Sequence, residues 1–218
     1  MDKRQLKSRK LLRTAMVELL RKVPYADITI QMITNQADTA RVTFYRHYGT
    51  KEELLMDLVR EGTERFDIQT QDAPLSLDYL LDFNNIPPTY FMFSLYEQDR
   101  FLHKNLYTSP ALTLLSNGFR TMSYHRILSV LKAGAEKYPE LPMPFIAQHV
   151  MMVNWSYLYW WVVEDIPYSA DHMGKLAHYT GMMGAFGLIG RTDLIILPDE
   201  GIDDLLTMPP VMPAFIEK

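Results

Sequence analysis

Residues 28–55 read ITIQMITNQADTARVTFYRHYGTKEELL, and the order of signals within them decides the fold. Thr29 stands just before a short apolar-periodic run, the arrangement of a helix N-cap, with Ile28 and Ile33 placed as a hydrophobic staple. The run should end near Gln36. Ala37-Asp38-Thr39 interrupts it, Asp38 being a residue that tolerates left-handed backbone, and Ala40 to His47 resume an apolar-plus-basic helical pattern. Gly49 ends that second helix, and Thr50-x-x-Glu53 forms a capping box for a long third one. Leu54, Leu55, Leu58, Val59, Gly62 and Phe66 supply the buried face of the long helix. Two short helices joined by a three-residue turn therefore precede a long helix.

Upstream, Leu12, Ala15, Leu19, Leu20 and Val23 fall on one face of a helix over Leu6 to Val23, which Pro24 closes. Downstream, residues 69–74 turn small and polar, and from Leu75 the chain is rich in Tyr, Phe, Met, Leu and Trp. Pro87-Pro88, Pro110, the prolines from Pro139 to Pro144 and Pro167 divide this part into about five helices. No segment keeps the period-2 alternation of a strand, so the fold class is all-α. After Arg191 the chain changes character. Residues 194–198 are short and apolar, and the prolines at 209, 210 and 213 forbid a helix, so this tail should lie extended across the body or a partner subunit.

The charge is divided unevenly. Residues 1–60 hold 12 Lys and Arg against 7 Asp and Glu, whereas residues 61–218 hold 10 against 19. A basic front attracts a polyanion and an acidic remainder repels one, so nucleic acid should meet only the N-terminal end; a solvated basic helix face would show the same excess. The chain has no cysteine, which excludes disulfides, thiolate zinc sites and cysteine nucleophiles. Neither a membrane-spanning run nor an apolar leader is visible, and a cytoplasmic protein is expected. His125, His149, His172 and His178 show no metal-ligand spacing, and no nucleophile–base pair, phosphate loop or carboxylate pair is recognisable, so neither a metal, a cofactor nor an enzyme is expected.

With these parts in this order, the stretch 28–55 resembles the DNA-binding domain of the TetR family of bacterial regulators. The resemblance is carried by the Ile-rich short helix, Ala37 at the turn, Thr43-Phe44-Tyr45-Arg46-His47-Tyr48, and Gly49-Thr50-Lys51-Glu52-Glu53-Leu54 opening the long helix. It implies a three-helix helix-turn-helix domain with the start of a linking fourth helix over residues 1–70. Residues 71–218 would form a helical ligand-binding and dimerisation domain. A major groove about 12 Å wide admits one helix, and Ala40 to Tyr45 would be the one inserted. The sequence departs from the family's usual Ala-Gly-Val-Ser turn by having Ala37-Asp38-Thr39-Ala40, and Val42 sits where Gly is frequent; Thr39 could cap the recognition helix instead of the missing Ser.

Arg41 is the expected base reader, because a guanidinium can pair with O6 and N7 of guanine, with a phosphate contact as its alternative. By the resemblance, Thr43, Tyr45, His47 and Lys51 grip phosphates, and the hydroxyls of Thr29 and Thr39 complete the DNA-binding set. Tyr45 or His47 could instead be a packed aromatic, and Phe44 belongs to the core. Lys7, Arg9 and Lys10 could steady the DNA backbone further.

The resemblance also implies double-stranded DNA, a second copy of the chain and a small-molecule effector as partners. The helices over Pro144 to Val163 and Ser169 to Ile189 are the candidates for a homodimer face, the second using Gly181, Gly184, Ala185 and Gly187 to approach its neighbours. Candidate ligand contacts are Tyr90, Phe93, Tyr96, Phe119, Met122, Tyr124, His125, Met152, Trp155 and Tyr159, although core or interface packing accounts equally for such aromatic enrichment. The expected function is a repressor released from a pseudo-palindromic operator by a small apolar or aromatic effector. A co-regulator of the same fold, acting through protein partners, is the alternative.

Overall fold

The computed structural model describes residues 3–70 and 75–198, apart from the side chains of residue 3 and residues 62–70. The described residues are helical with no strand, as the periodicity predicts. Four helices form the N-terminal part: α1 (Lys3–Leu20), α2 (Ile30–Gln36), α3 (Arg41–His47) and α4 (Lys51–Thr70). Six follow: α5 (Leu77–Leu81), α6 (Pro88–Glu97), α7 (Arg100–Tyr107), α8 (Leu112–Ala133), α9 (Met143–Val163) and α10 (Ala170–Leu188). This is one more than the prolines imply. The added boundary is Gln98-Asp99, where Asp99 leaves helical geometry (φ −147°, ψ 55°) without any proline to announce it.

The apolar stripe of α1 closes over the two short helices. Leu12, Ala15, Met16, Leu20, Ile28, Ile33, Phe44, Tyr48, Leu54, Leu55 and Val59 form one buried cluster, and Leu19 and Val23 pack at its edge. Ala111, from the start of α8, is fully buried in the same cluster, so the body contributes to the core of the N-terminal part. Gly62 and Phe66, expected on the buried face of α4, have side chains outside the described residues. The expected boundary at 69–74 falls partly outside them too, with α4 continuous to Thr70.

In the second part, α10 packs against both α9 and α6, and α8 lies between α4 and α9. The closest approach is made by a glycine that the sequence does not flag. A Cβ on Gly174 would come within 2.6 Å of the Tyr90 Cα, so α10 can touch the start of α6 only because that position lacks a side chain. Of residues 194–198, Leu194 ends a 3-10 turn (Thr192–Leu194) and the chain then runs extended at Ile195 and Ile196: the Phe83 amide donates to the Ile196 carbonyl at 2.9 Å and the Ile196 amide to that of Leu81 at 2.9 Å. The proline run at 209–213 lies outside the described residues.

Candidate nucleic-acid interface and the cavity behind it

The turn between α2 and α3 sets how the short helix is presented. Asp38 adopts φ 47°, the left-handed region, and the chain reverses in a Schellman arrangement: Asp38 N–H donates to the Asn35 carbonyl at 3.2 Å and Thr39 N–H to that of Thr34 at 3.0 Å. The acidic residue in the usual glycine position thus keeps the turn. Thr29 caps α2, its hydroxyl accepting from Met32 N–H at 3.2 Å. Thr39 does not cap α3. The N-cap is Ala40, with no side-chain hydrogen bond, and the Thr39 hydroxyl is buried without a partner. The turn returns one residue later than expected, which moves the start of the recognition helix to Arg41.

The seven residues of α3 divide cleanly. Phe44 is fully buried, Thr43 and His47 are half-buried, and Arg41, Val42, Tyr45 and Arg46 are exposed on the outer face. The Arg41 guanidinium donates to the Tyr45 hydroxyl at 3.2 Å and lies 5.6 Å from its ring centroid, so the two side chains orient one another. Arg46 and Val42 are outward-facing groups that the sequence reading did not assign; the signal was their position two residues either side of buried Phe44 on a helix.

Three contacts brace α3. The His47 imidazole Nε2 shares a 2.7 Å hydrogen bond with the Ser8 hydroxyl on α1. Burial, helped by Arg9 and Arg46, lowers the pKa of this ring and keeps it neutral. Arg9 pairs with Asp57 through both its Nε (3.0 Å) and an η nitrogen, and Tyr48 donates to the same carboxylate at 2.7 Å. Burial alone would raise the Asp57 carboxyl, but the hydrogen bonds from Arg9 and Tyr48 outweigh it and hold it below the usual carboxylate range. Burial and the bond to Asp57 push the Tyr48 phenol up to about 12, so it stays a donor. Arg9 is therefore a structural cation joining α1 to α4, while Lys7 and Lys10 stay exposed.

The opening of α4 is capped as the sequence predicts, with one change. Glu53 N–H donates to the Thr50 hydroxyl at 3.2 Å, but the Glu53 carboxylate reaches the Gly49 N–H, at 2.7 Å, rather than that of Thr50. The Lys51 ammonium donates to the carbonyls of Tyr25 (3.0 Å), Ala26 (3.3 Å) and Ile28 (2.7 Å), closing the 3-10 turn Tyr25–Asp27 onto α4.

Behind this head lies an apolar cavity of ≈ 280 Å³ whose walls include Val17 of α1 and Leu58 and Val59 of α4, opposite Met92, Tyr96, His103, Phe119 and Met122. A second of ≈ 300 Å³ shares Met92, Phe119 and Met122 with it and continues to Ser123, Arg126 and Asn154. Of the ten expected ligand contacts, only Tyr96, Phe119 and Met122 line these spaces. Tyr124 and His125 line a separate polar hollow with Arg120 and Gln148. Phe93 is buried against Trp161, Tyr90 is pressed onto Gly174, and Met152 is exposed on α9. Trp155 and Tyr159 pack on Tyr107, one layer behind the cavity, with Trp155 also 5.2 Å from Phe119.

The cavity is tied to the head by more than contact. Asn105 of α7 donates through its side-chain amide to the carbonyls of Leu20 (2.7 Å) and Val23 (2.9 Å) at the end of α1, and Arg21 pairs with Asp99 at 2.5 Å. Among the described residues there is no cluster of three metal-ligating side chains and no helix long and apolar enough to cross a membrane.

Comparison with known proteins agrees with this geometry. Residues 12–58 match the profile of bacterial regulatory proteins of the tetR family. Over 62 residues the chain is 40% identical to an uncharacterized HTH-type transcriptional regulator, YxbF, of Bacillus subtilis; the match covers 28% of this chain but only 16% of that relative. Solved structures are similar over most of the chain. A TetR-family transcriptional regulator from Syntrophomonas wolfei aligns with a TM-score of 0.55 at 17% identity, over 84% of this chain and 97% of its own. The fatty acid degradation regulator FadR from Bacillus halodurans aligns at 0.60 and 21%, over 80% and 94%. The dihydroxyacetone kinase operon activator DhaS aligns at 0.55 and 15%, over 82% and 96%.

Proposed function

We propose that this chain, whose residues 12–58 match the profile of bacterial regulatory proteins of the tetR family, is a homodimeric repressor of that family released from DNA by a small apolar effector. The observation that carries the DNA-binding part is the outer face of α3, where Arg41, Val42, Tyr45 and Arg46 project from a helix pinned by Phe44 in the core. Arg41 reads a base edge, Val42 offers an apolar surface to a thymine methyl, and Thr43, Tyr45 and Arg46 meet phosphates. His47, Lys51 and Thr29 flank the groove with groups already braced internally, and contribute mainly by holding α3 in place. Exposed Phe145 and Met152 on α9, with Met183 and Leu188 on α10, supply the apolar surface for a second copy.

The two α3 helices of the dimer enter successive major grooves, roughly 34 Å apart, so the operator is pseudo-palindromic. Because Val17, Leu58 and Val59 wall the cavity, an effector there presses directly on α1 and α4 and alters the α3 separation. The test is a fluorescence-anisotropy titration of the purified protein on its own promoter fragment across a salt series. Tight binding that weakens steeply with salt supports the reading, while equal affinity for every duplex offered, or none at low salt, would overturn it.

A further inference from the structure

The two apolar spaces run along one stripe of α8, from Leu115 past Phe119 and Met122 to Arg126 and Ile127. Twelve residues of helix rise about 18 Å, so the lining is elongated along the helix. The two compartments share Met92, Phe119 and Met122 in their walls, and the methionines are unbranched side chains that swing aside readily. A flexible chain can follow such a stripe from one compartment into the other.

The wall of the far compartment includes Asn154, which is 7% exposed and whose side-chain oxygen has no hydrogen-bond partner. A buried acceptor left unmade is destabilising, and the Thr89 hydroxyl in the same wall does not relieve it because it already donates to the Gly174 carbonyl at 2.5 Å. The near compartment is lined almost wholly by hydrocarbon and sulfur, with Tyr96 and His103 as its polar members. Burial lowers the His103 imidazole to about 4, so no cation stands there at neutral pH.

Resting on the reading of this cavity as the effector site, we infer that its ligand is an unbranched aliphatic molecule of about a dozen carbons whose head group donates a hydrogen bond to Asn154, as a primary alcohol or amide does. The head lies against Asn154 with Ser123 beside it, Arg126 in the same wall already having a partner within the protein, and the chain passes Met122 and Phe119 to end against Val17 and Val59. A site built around one buried acceptor rejects an analogue that lacks the donor far more strongly than it discriminates chain length.

The experiment titrates the full-length protein with 1-dodecanol, dodecanamide, methyl dodecanoate and dodecanoate, following tryptophan fluorescence, which Trp155 beside Phe119 makes sensitive to filling, and thermal stabilisation as a second readout. The alcohol and amide are expected to bind at least tenfold tighter than the methyl ester, and Asn154→Leu, which keeps the size and removes the acceptor, is expected to erase that preference while still binding the ester. Equal binding of ester and alcohol, tighter binding of dodecanoate, preference retained in the variant, or no binding of any chain would each overturn the inference. Release of promoter DNA is scored separately: ligands that bind with the expected preference but leave DNA bound would refute the effector role alone, and release by unrelated compounds would refute the ligand class alone.

Discussion

Substituting Asp57 tests whether the mounting of the recognition helix depends on one carboxylate. Asp57 accepts from Arg9 twice and from Tyr48, and its side chain is 14% exposed against 34% for Arg9. An exposed ion pair contributes at most about 1 kcal/mol, and breaking a fully buried one costs about 3–5 kcal/mol. The partial burial here places Asp57→Ala at about 2–3 kcal/mol, which for a chain of this size lowers Tm by about 5–10 °C. In thermal melts Arg9→Met alone should cost less, because the Asp57 carboxylate left behind keeps the Tyr48 hydroxyl and the Arg13 guanidinium as partners. Combining Arg9→Met with Asp57→Ala should cost at least about 1 kcal/mol less than the sum of the two single changes. Since Tyr48 and Arg9 hold the exit of α3, DNA affinity should fall in Asp57→Ala at temperatures well below its Tm. A Tm within 1 °C of the parent, or strict additivity in the cycle, would refute the assignment of Asp57 as the common anchor.

Arg41→Ala should flatten the preference among operator variants, whereas Arg46→Ala should weaken all of them alike and reduce the slope of log K against log salt by about one; the reverse pattern in a binding titration would exchange their roles. Asp38→Gly should change stability by less than about 1 kcal/mol, relief of left-handed strain being offset by glycine's entropy, and should tighten DNA binding at low salt by removing a negative charge; weaker binding would show that the carboxylate does not act by repelling DNA. Gly174→Ala should cost about 1–3 kcal/mol, since the new methyl meets Tyr90 backbone that cannot swing away, read as a lowered denaturation midpoint. Burial lowers both His178, which bonds the Leu80 carbonyl, and His103, which lies near Asp99 and Arg21, to about 4. The unfolded chain therefore binds more protons between about pH 6.5 and 4, and stability should fall as pH drops through that window by up to about 1.4 kcal/mol per pH unit per histidine. His178→Gln should remove one such slope in denaturant titrations.

The head was legible in the sequence because its signals are local. Thr29, Asp38 and Thr50-x-x-Glu53 each act within four residues, and each takes the capping or turn geometry its residue type allows; Gly49 follows the end of α3 without the positive φ of a C-cap glycine. Thr39 was misread because capping depends on which residue first leaves the turn, a difference of one position that the Schellman geometry of Asp38 decides. The cavity was legible only in kind. An aromatic or methionine on a helix shows which stripe it occupies but not whether a neighbour fills the space opposite, so Tyr96, Phe119 and Met122 could not be told from Phe93 or Trp155. Gly174 acts through an absent side chain on Tyr90, more than eighty residues away, and leaves no mark in the local pattern.

Ala111 seals the hydrophobic interior of the helix-turn-helix head from the far side of the chain. Anyone transplanting this head onto another helical body would leave an unfilled socket unless the elbow between α7 and α8 travelled with it. The unit that could be exchanged between regulators is thus discontinuous in sequence, a graft of two segments rather than a single cut at the end of α4.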